Sequence, residues 1–290
     1  MDCVLDAGAL LGECPVWSDA EQVLYWIDID GRSIHRFDPA PGADEARALP
    51  GRPGSYALMD EPGCLLVALE HRMVRYRWDD DATEEWVEVE APDTGNRLND
   101  GRCDPAGRFW VGSMYEHTDA GRFTGMLHRI GRDGAVSTWN RSVGVSNGLA
   151  FSPDGGTMYF ADTLHDVVWA YDYDVDSGER SNERVFVDFQ GIRGRPDGAC
   201  VDADGCYWVA AVYGWGVIRF TPAGVFDRRV DLPVQRPTMP AFGGPDRDVL
   251  FVTSIGEGGS HRGAEGQDRP GGIFAVEPGV SGVPEPLFRR

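Results

Sequence analysis

Apolar positions along the chain come in short, partly alternating runs, and six of them are rich in aromatic or large aliphatic residues. They are Leu24-Tyr25-Trp26-Ile27, Leu65-Leu66-Val67-Ala68, Arg108-Phe109-Trp110-Val111, Met158-Tyr159-Phe160-Ala161, Cys206-Tyr207-Trp208-Val209 and Val249-Leu250-Phe251-Val252. Their centres fall about 40–50 residues apart, the period at which four-stranded propeller blades repeat. Turn signals punctuate the runs, among them Asp38-Pro39, Glu61-Pro62-Gly63, Asp154-Gly155 and Asp204-Gly205. In such turns Asp bonds its own backbone and Gly accepts a positive φ. No segment sustains an i, i+3, i+4, i+7 apolar pattern, so helices should be minor. The pattern predicts an all-β fold: one domain over residues 1–290, a six-bladed β-propeller with four antiparallel strands per blade. Blade boundaries are expected near 10–50, 51–92, 93–138, 139–190, 191–232 and 233–290. A leading strand near Cys3–Asp6 should pair with the C-terminal segment, because closing the ring removes exposed edges. The stretch Gly256–Pro270, poor in apolar residues, reads as a long loop at one mouth.

Charge narrows the set of partners. The 47 acidic residues outnumber 27 basic ones, for a net charge of −20, and every basic residue is arginine. Such a field repels nucleic acid and anionic membranes, so neither is an expected partner. An acidic chain without lysine suits molar salt, where screening shortens to a few ångströms, and a halophilic origin is expected. The six cysteines show no CxxC or metal-finger spacing and read as small buried residues of a reducing cytosol. The first residues lack the basic and apolar regions of a signal peptide, and no apolar stretch is long enough to span a bilayer. A cytoplasmic location is expected.

Candidate chemistry appears when equivalent strands are aligned. Glu13 stands twelve positions before Tyr25, and Asn147 twelve before Tyr159; Asn99 stands ten before Phe109, and Asp197 ten before Tyr207. Each precedes the strand expected to line the channel. Singly, Asn-Gly and Asp-Gly are common turn pairs. Together, at near-constant offset in a radial repeat, they converge on the axis. Two carboxylates and one or two amides buried together must be paired or must bind a cation. With no lysine in the chain and no histidine at these offsets, a divalent metal is the simplest compensation. Oxygen ligands suit Ca²⁺, Mg²⁺ or Mn²⁺, and Zn²⁺ or Fe²⁺ would also be accommodated.

The motifs Leu11-Gly12-Glu13-Cys14-Pro15-Val16-Trp17, Asn96-Arg97-Leu98-Asn99-Asp100-Gly101, Ser146-Asn147-Gly148-Leu149, Arg195-Pro196-Asp197-Gly198 and Phe242-Gly243-Gly244 occur in this order. As a set, spread over nearly the whole chain, they resemble the SMP-30/gluconolactonase/regucalcin-like family of six-bladed propeller lactonases. The resemblance implies that Glu13, Asn147 and Asp197 are metal ligands and that Arg97 and Asn99 donate to substrate oxygens. Two positions depart from the family pattern. Cys14 stands where the family usually has Gly, and His117, in Tyr115-Glu116-His117, aligns with a second acidic substrate contact of some relatives. Glu116 and His117 are therefore candidate substrate contacts without an assigned sugar preference.

The expected activity is hydrolysis of a small-molecule sugar (aldono) lactone, such as a xylono-, arabinono- or gluconolactone, in oxidative sugar breakdown. Asp197 is the expected general base, with Glu13 second. Other motifs are weaker. Gly144-Val145-Ser146-Asn147-Gly148 fits G-x-S-x-G, but that nucleophile needs a strand–turn–helix in an α/β sheet. Asp172, Asp174, Asp176 and Glu183 nearly trace a calcium loop, yet their flanks read as strands, so a hairpin turn is expected. Tyr213 and Trp215 could stack on a sugar or fill the core. Two other classes stand against the lactonase: a calcium-binding or regulatory propeller without turnover, and a phosphotriesterase or aryl-lactonase with an apolar pocket.

Overall fold

The structure, a computed structural model, describes residues 1–258 and 263–289, with the side chains of Asn140 and Arg141 left aside. Six four-stranded antiparallel sheets form a ring, each one blade of a β-propeller. The six aromatic or aliphatic runs all form the second strand of a blade, for example Val23–Asp28, Phe109–Tyr115 and Tyr207–Val212. They read as continuous apolar runs because each is buried on both faces, so alternate residues pack into different interfaces. Leu24 and Trp26 pack toward the sixth blade, whereas Tyr25 and Ile27 pack toward the second. Met158 and Phe160 face the third blade, and Tyr159 and Ala161 the fifth. The core is thus a set of clusters lying between neighbouring blades. Truncating one of these rings, such as Trp26 to Ala, would cost about 3–5 kcal/mol.

Closure follows the expectation with a one-residue shift. Asp2–Leu5 is the outermost strand of the sixth blade and pairs antiparallel with Ile273–Val276. Helix is confined to three short 3₁₀ turns at Pro92–Thr94, Thr118–Ala120 and Thr163–His165 among the described residues. None is long and apolar enough to cross a membrane. One boundary differs from the sequence reading: the outer strand of the third blade runs Val136–Val143, so that blade ends beyond 138. The expected loop over Gly256–Pro270 lies partly outside the described residues; Gln267 ties its later part to Gln235 and Glu257. Innermost strands of neighbouring blades touch around the channel. Beyond the last blade strand, the C-terminal segment crosses the far mouth, where Phe288 bridges to Met59 and is fully buried.

Candidate active site at the bulged mouth of the channel

The innermost strands are Gly12–Ser18, Ser55–Leu58, Asn96–Cys103, Ser146–Phe151, Arg195–Val201 and Pro237–Gly243. Five of them slip register at one equivalent place: between Glu13 and Val16, Leu98 and Gly101, Asn147 and Ala150, Pro196 and Ala199, and Pro237 and Pro240. The second blade's strand pairs without a shift. A bulge lifts a residue out of the ladder and re-aims its side chain. Four of the five bulges carry an oxygen-bearing residue of the sequence constellation: Glu13, Asn99, Asn147 and Asp197. The fifth carries Thr238, whose hydroxyl donates to the Gly12 carbonyl at 2.5 Å and pins the first blade's bulge.

Backbone conformation explains the unusual Cys14. It adopts φ 47, close to the φ 60 of Gly148 at the matching bulge of the fourth blade. The turn keeps the left-handed geometry that glycine favours, at a cost of about 1–2 kcal/mol for a residue with a Cβ. Its N–H donates to Glu13 Oε2 at 3.1 Å, and its thiol lies 3.6 Å from the Gly54 carbonyl.

Hydrogen bonds join the four residues into one assembly. Thr163 Oγ1 donates to the Pro196 carbonyl at 2.7 Å, so its lone pair accepts from Asn147 Nδ2 at 2.8 Å. That fixes the amide with Oδ1 turned inward, where Asn99 Nδ2 approaches at 3.3 Å. Asn99 Nδ2 also donates to the Ser146 carbonyl at 2.9 Å, while its Oδ1 accepts from Arg97 Nη1 at 2.6 Å. Asn99 therefore positions Arg97 on one side and Asn147 on the other. Arg97 Nη1 donates also to the Leu98 carbonyl at 3.1 Å.

The electrostatics are one-sided. Glu13, Asn147 and Asp197 are 9%, 4% and 6% exposed. Burial pushes the Glu13 carboxyl well above its ordinary range, and the Asp197 and Asp100 charges push it further. Burial, then Asp100, does the same to Asp197. Asp100 is buried beside them; its Oδ2 accepts the Leu149 N–H at 2.9 Å, and its Oδ1 has no partner among the described residues. Arg97 is pushed down to about 10, first by burial and then by Arg52.

Not every candidate joins this assembly. Glu116 is bonded by Arg52, whose Nη1 donates to it at 2.5 Å and whose Nη2 donates to Asp30 at 2.7 Å. Arg52 thus ties loops of the first three blades beside Arg97. His117 is exposed and packs edge-on to Tyr115, with ring centroids 6.0 Å apart. Tyr213 is 53% exposed and Trp215 half-buried, so neither is core filling. Ser146 is fully buried on a strand, without the strand–turn–helix of a nucleophile. The acids from Asp172 to Glu183 lie on a hairpin, with Asp172 bonded to Asn182 and Arg184. Thr163, Arg52 and Asp100 had no assigned role in the sequence reading. Of the three, only Asp100 lies within one of the motifs, Asn96-Arg97-Leu98-Asn99-Asp100-Gly101.

The donor set fits a divalent cation. Two buried carboxylates and an inward amide oxygen converge, and no arginine forms an ion pair with either acid among the described residues. A purely acidic, His or Cys cluster of three is absent among the described residues, in keeping with a set that takes its third oxygen from an amide.

A ring of six blades with acids and amides gathered at the bulged mouth of its channel defines a six-bladed propeller of the lactonase type. The chain belongs to the SMP-30/gluconolactonase/LRE-like family, whose sequence profile matches residues 11–256. It is 39% identical to a 6-deoxy-6-sulfogluconolactonase of Pseudomonas putida, over 99% of this chain and 98% of that one. It is 36% identical to a pentonolactonase of Haloferax volcanii, over 97% and 96%. Among solved structures, a calcium-binding protein, regucalcin, from Agrobacterium tumefaciens superposes with a TM-score of 0.92 at 29% identity, covering 99% of this chain and 97% of that one.

Proposed function

We propose that the chain hydrolyses a sugar lactone to its aldonic acid, with a divalent cation held by Glu13, Asn147 and Asp197. It is a lactone-hydrolysing esterase, as its sulfogluconolactonase and pentonolactonase relatives are named. The observation that carries the metal-dependent reading is the pair of buried carboxylates with no bonded cation beside them. When bound, the ion would polarise the lactone carbonyl and lower the pKa of water. The calcium-binding relative supports Ca²⁺ as one candidate.

The chain's own groups supply the rest. Asp197 takes a proton from the attacking water as the new carbon–oxygen bond forms. As the ring carbon–oxygen bond breaks, the same carboxyl returns the proton to the departing hydroxyl oxygen. Arg97, held by Asn99, turns its remaining N–H donors toward the substrate's oxygens. Glu116 and His117 would meet the outer end of the sugar, with Arg52 holding Glu116 in place. The six cysteines are free, which supports a reducing cytosolic setting, and the lysine-free acidic composition supports high salt.

The test is acid release from xylono-, arabinono-, galactono- and gluconolactone in high salt, with added metal, with chelator, and with Asp197→Ala. Chelator-sensitive turnover that the variant loses supports the proposal. Likeness to a calcium-binding protein favours a second reading, a binding propeller without turnover. No rate above spontaneous opening in any metal, together with calorimetric metal binding, would establish that one instead.

A further inference from the structure

The far end of the channel holds a cavity of ≈ 440 Å³ that the reaction above does not use. The later parts of the innermost strands form its walls, including Trp17, Phe151 and Phe242, and the segment Val283–Leu287 lies across it. Its volume is in the range of small-molecule sites. One charged side chain at its inner end is almost wholly buried: Arg102, 7% exposed. Arg102 Nε lies 3.0 Å from Glu285 Oε1. That pair uses the Nε side of the guanidinium. A guanidinium has five N–H donors in a planar fork, and buried donors of this kind are normally satisfied.

Local charge points the same way. The protein carries −20 overall, yet three arginines, Arg102, Arg247 and Arg289, line this cavity against two acids, Asp19 and Glu285. The surplus of one positive charge matches a single negative group. The aromatic walls and the prolines of the roof offer little to a polyol and suit an apolar body.

We propose that this cavity is a second binding site, for a small monocarboxylate carried on an apolar body, with Arg102 as its anchor. The carboxylate takes the Nη1/Nη2 edge of the guanidinium, away from the Nε that Glu285 meets, and the body lies against Trp17, Phe151 and Phe242. Glu285 competes for the same fork and so sets the affinity. A dianion such as phosphate meets both acids and gains no contact from the walls. The inference is independent of the lactonase reading, because no residue is shared with the bulged mouth.

The experiment is calorimetric titration of the intact protein with benzoate and hexanoate, with gluconate and inorganic phosphate as comparisons. Benzoate and hexanoate should saturate one site and bind more tightly than gluconate or phosphate. Arg102→Gln should weaken benzoate about tenfold or more, the loss expected for a charge-assisted hydrogen bond. Glu285→Gln should tighten it, and benzoate should raise the melting temperature of that variant more than that of the original chain. Asp197→Ala should bind benzoate unchanged. Failure of both apolar carboxylates to saturate overturns the proposal, as does undiminished binding by Arg102→Gln. If Arg102→Gln does not fold, equal or weaker benzoate affinity in Glu285→Gln overturns it. Loss of benzoate binding in Asp197→Ala would place the carboxylate at the bulged mouth and also overturn it.

Discussion

At the bulged mouth, Glu13 and Asp197 lie buried near Asp100, and among the described residues no arginine forms an ion pair with either. At the far mouth Arg102 is equally buried, but Glu285 reaches its Nε at 3.0 Å from the C-terminal segment. Both ends place charge where water is scarce, and only one supplies the partner from the chain itself. A buried ion pair adds little net stability, yet removing one member leaves the other uncompensated. The unpaired end is where an external cation belongs; at the paired end the chain's own Glu285 already meets Arg102. The difference separates a mouth that needs an added cation from one whose arginine already has a carboxylate from the chain and could at most exchange it for another.

The comparison can be broken most forcefully at the bulged mouth. Asp197→Ala should lower kcat/KM for the preferred lactone by roughly 10²- to 10⁴-fold, the range for loss of a positioned base, in steady-state assays with saturating metal. A smaller loss would shift the base role to Glu13. Thr163→Val removes the hydroxyl that orients Asn147, and metal affinity measured by calorimetry should fall about 10- to 100-fold, as for other outer partners of metal ligands. Unchanged affinity would remove Asn147 from the ligand set.

Opposite signs sharpen the contrast. In chelator, Glu13→Gln should stabilise the protein by about 1 kcal/mol, since it removes one of three mutually repelling buried acids. Glu285→Gln should destabilise it by about 1–3 kcal/mol, less than for a fully buried pair because Glu285 keeps some solvent contact. Denaturant melts of the two variants under one condition decide the matter, and equal signs would erase the distinction.

The smallest effect is on pH dependence. Glu13 and Asp197 have folded-state pKa values raised above those of the unfolded chain. The unfolded state therefore loses its protons first, and what these two groups contribute to metal-free stability is greatest below the ordinary carboxylate range, about pH 4. It falls as pH rises through the raised values. Saturating metal should flatten that decline, as followed by melting temperature against pH in matched salt.

Much of this was legible in the sequence because the ring repeats. The second strands are buried on both faces, so they stand out as apolar runs, and even the non-aromatic Leu65-Leu66-Val67-Ala68 took its place. The outer strand Val136–Val143 did not stand out, since its Ser137, Thr138 and Ser142 break the apolar pattern, and the boundary near 138 fell short. The offset argument found Glu13, Asn99, Asn147 and Asp197 because bulges recur at one height. It missed Thr163, Arg52 and Glu285, whose partners are distant along the chain: Pro196, Glu116 and Arg102. No local period marks such contacts. Cys14 also showed its meaning only in the backbone, where a side chain occupies a conformation suited to glycine.

Ring closure has a kinetic consequence. The strand Asp2–Leu5 finds its partner only in Ile273–Val276, which is synthesised after every other blade strand. Pairings this remote in sequence are slow to form, because the loop between them must close before any contact rewards it. The three proposed metal ligands belong to the first, fourth and fifth blades and face one another only across a ring. A nascent chain still lacking its last strand would hold separate sheets and no complete centre. Ion capture would then follow the final zippering step, so metal uptake would serve as a clock for completed folding.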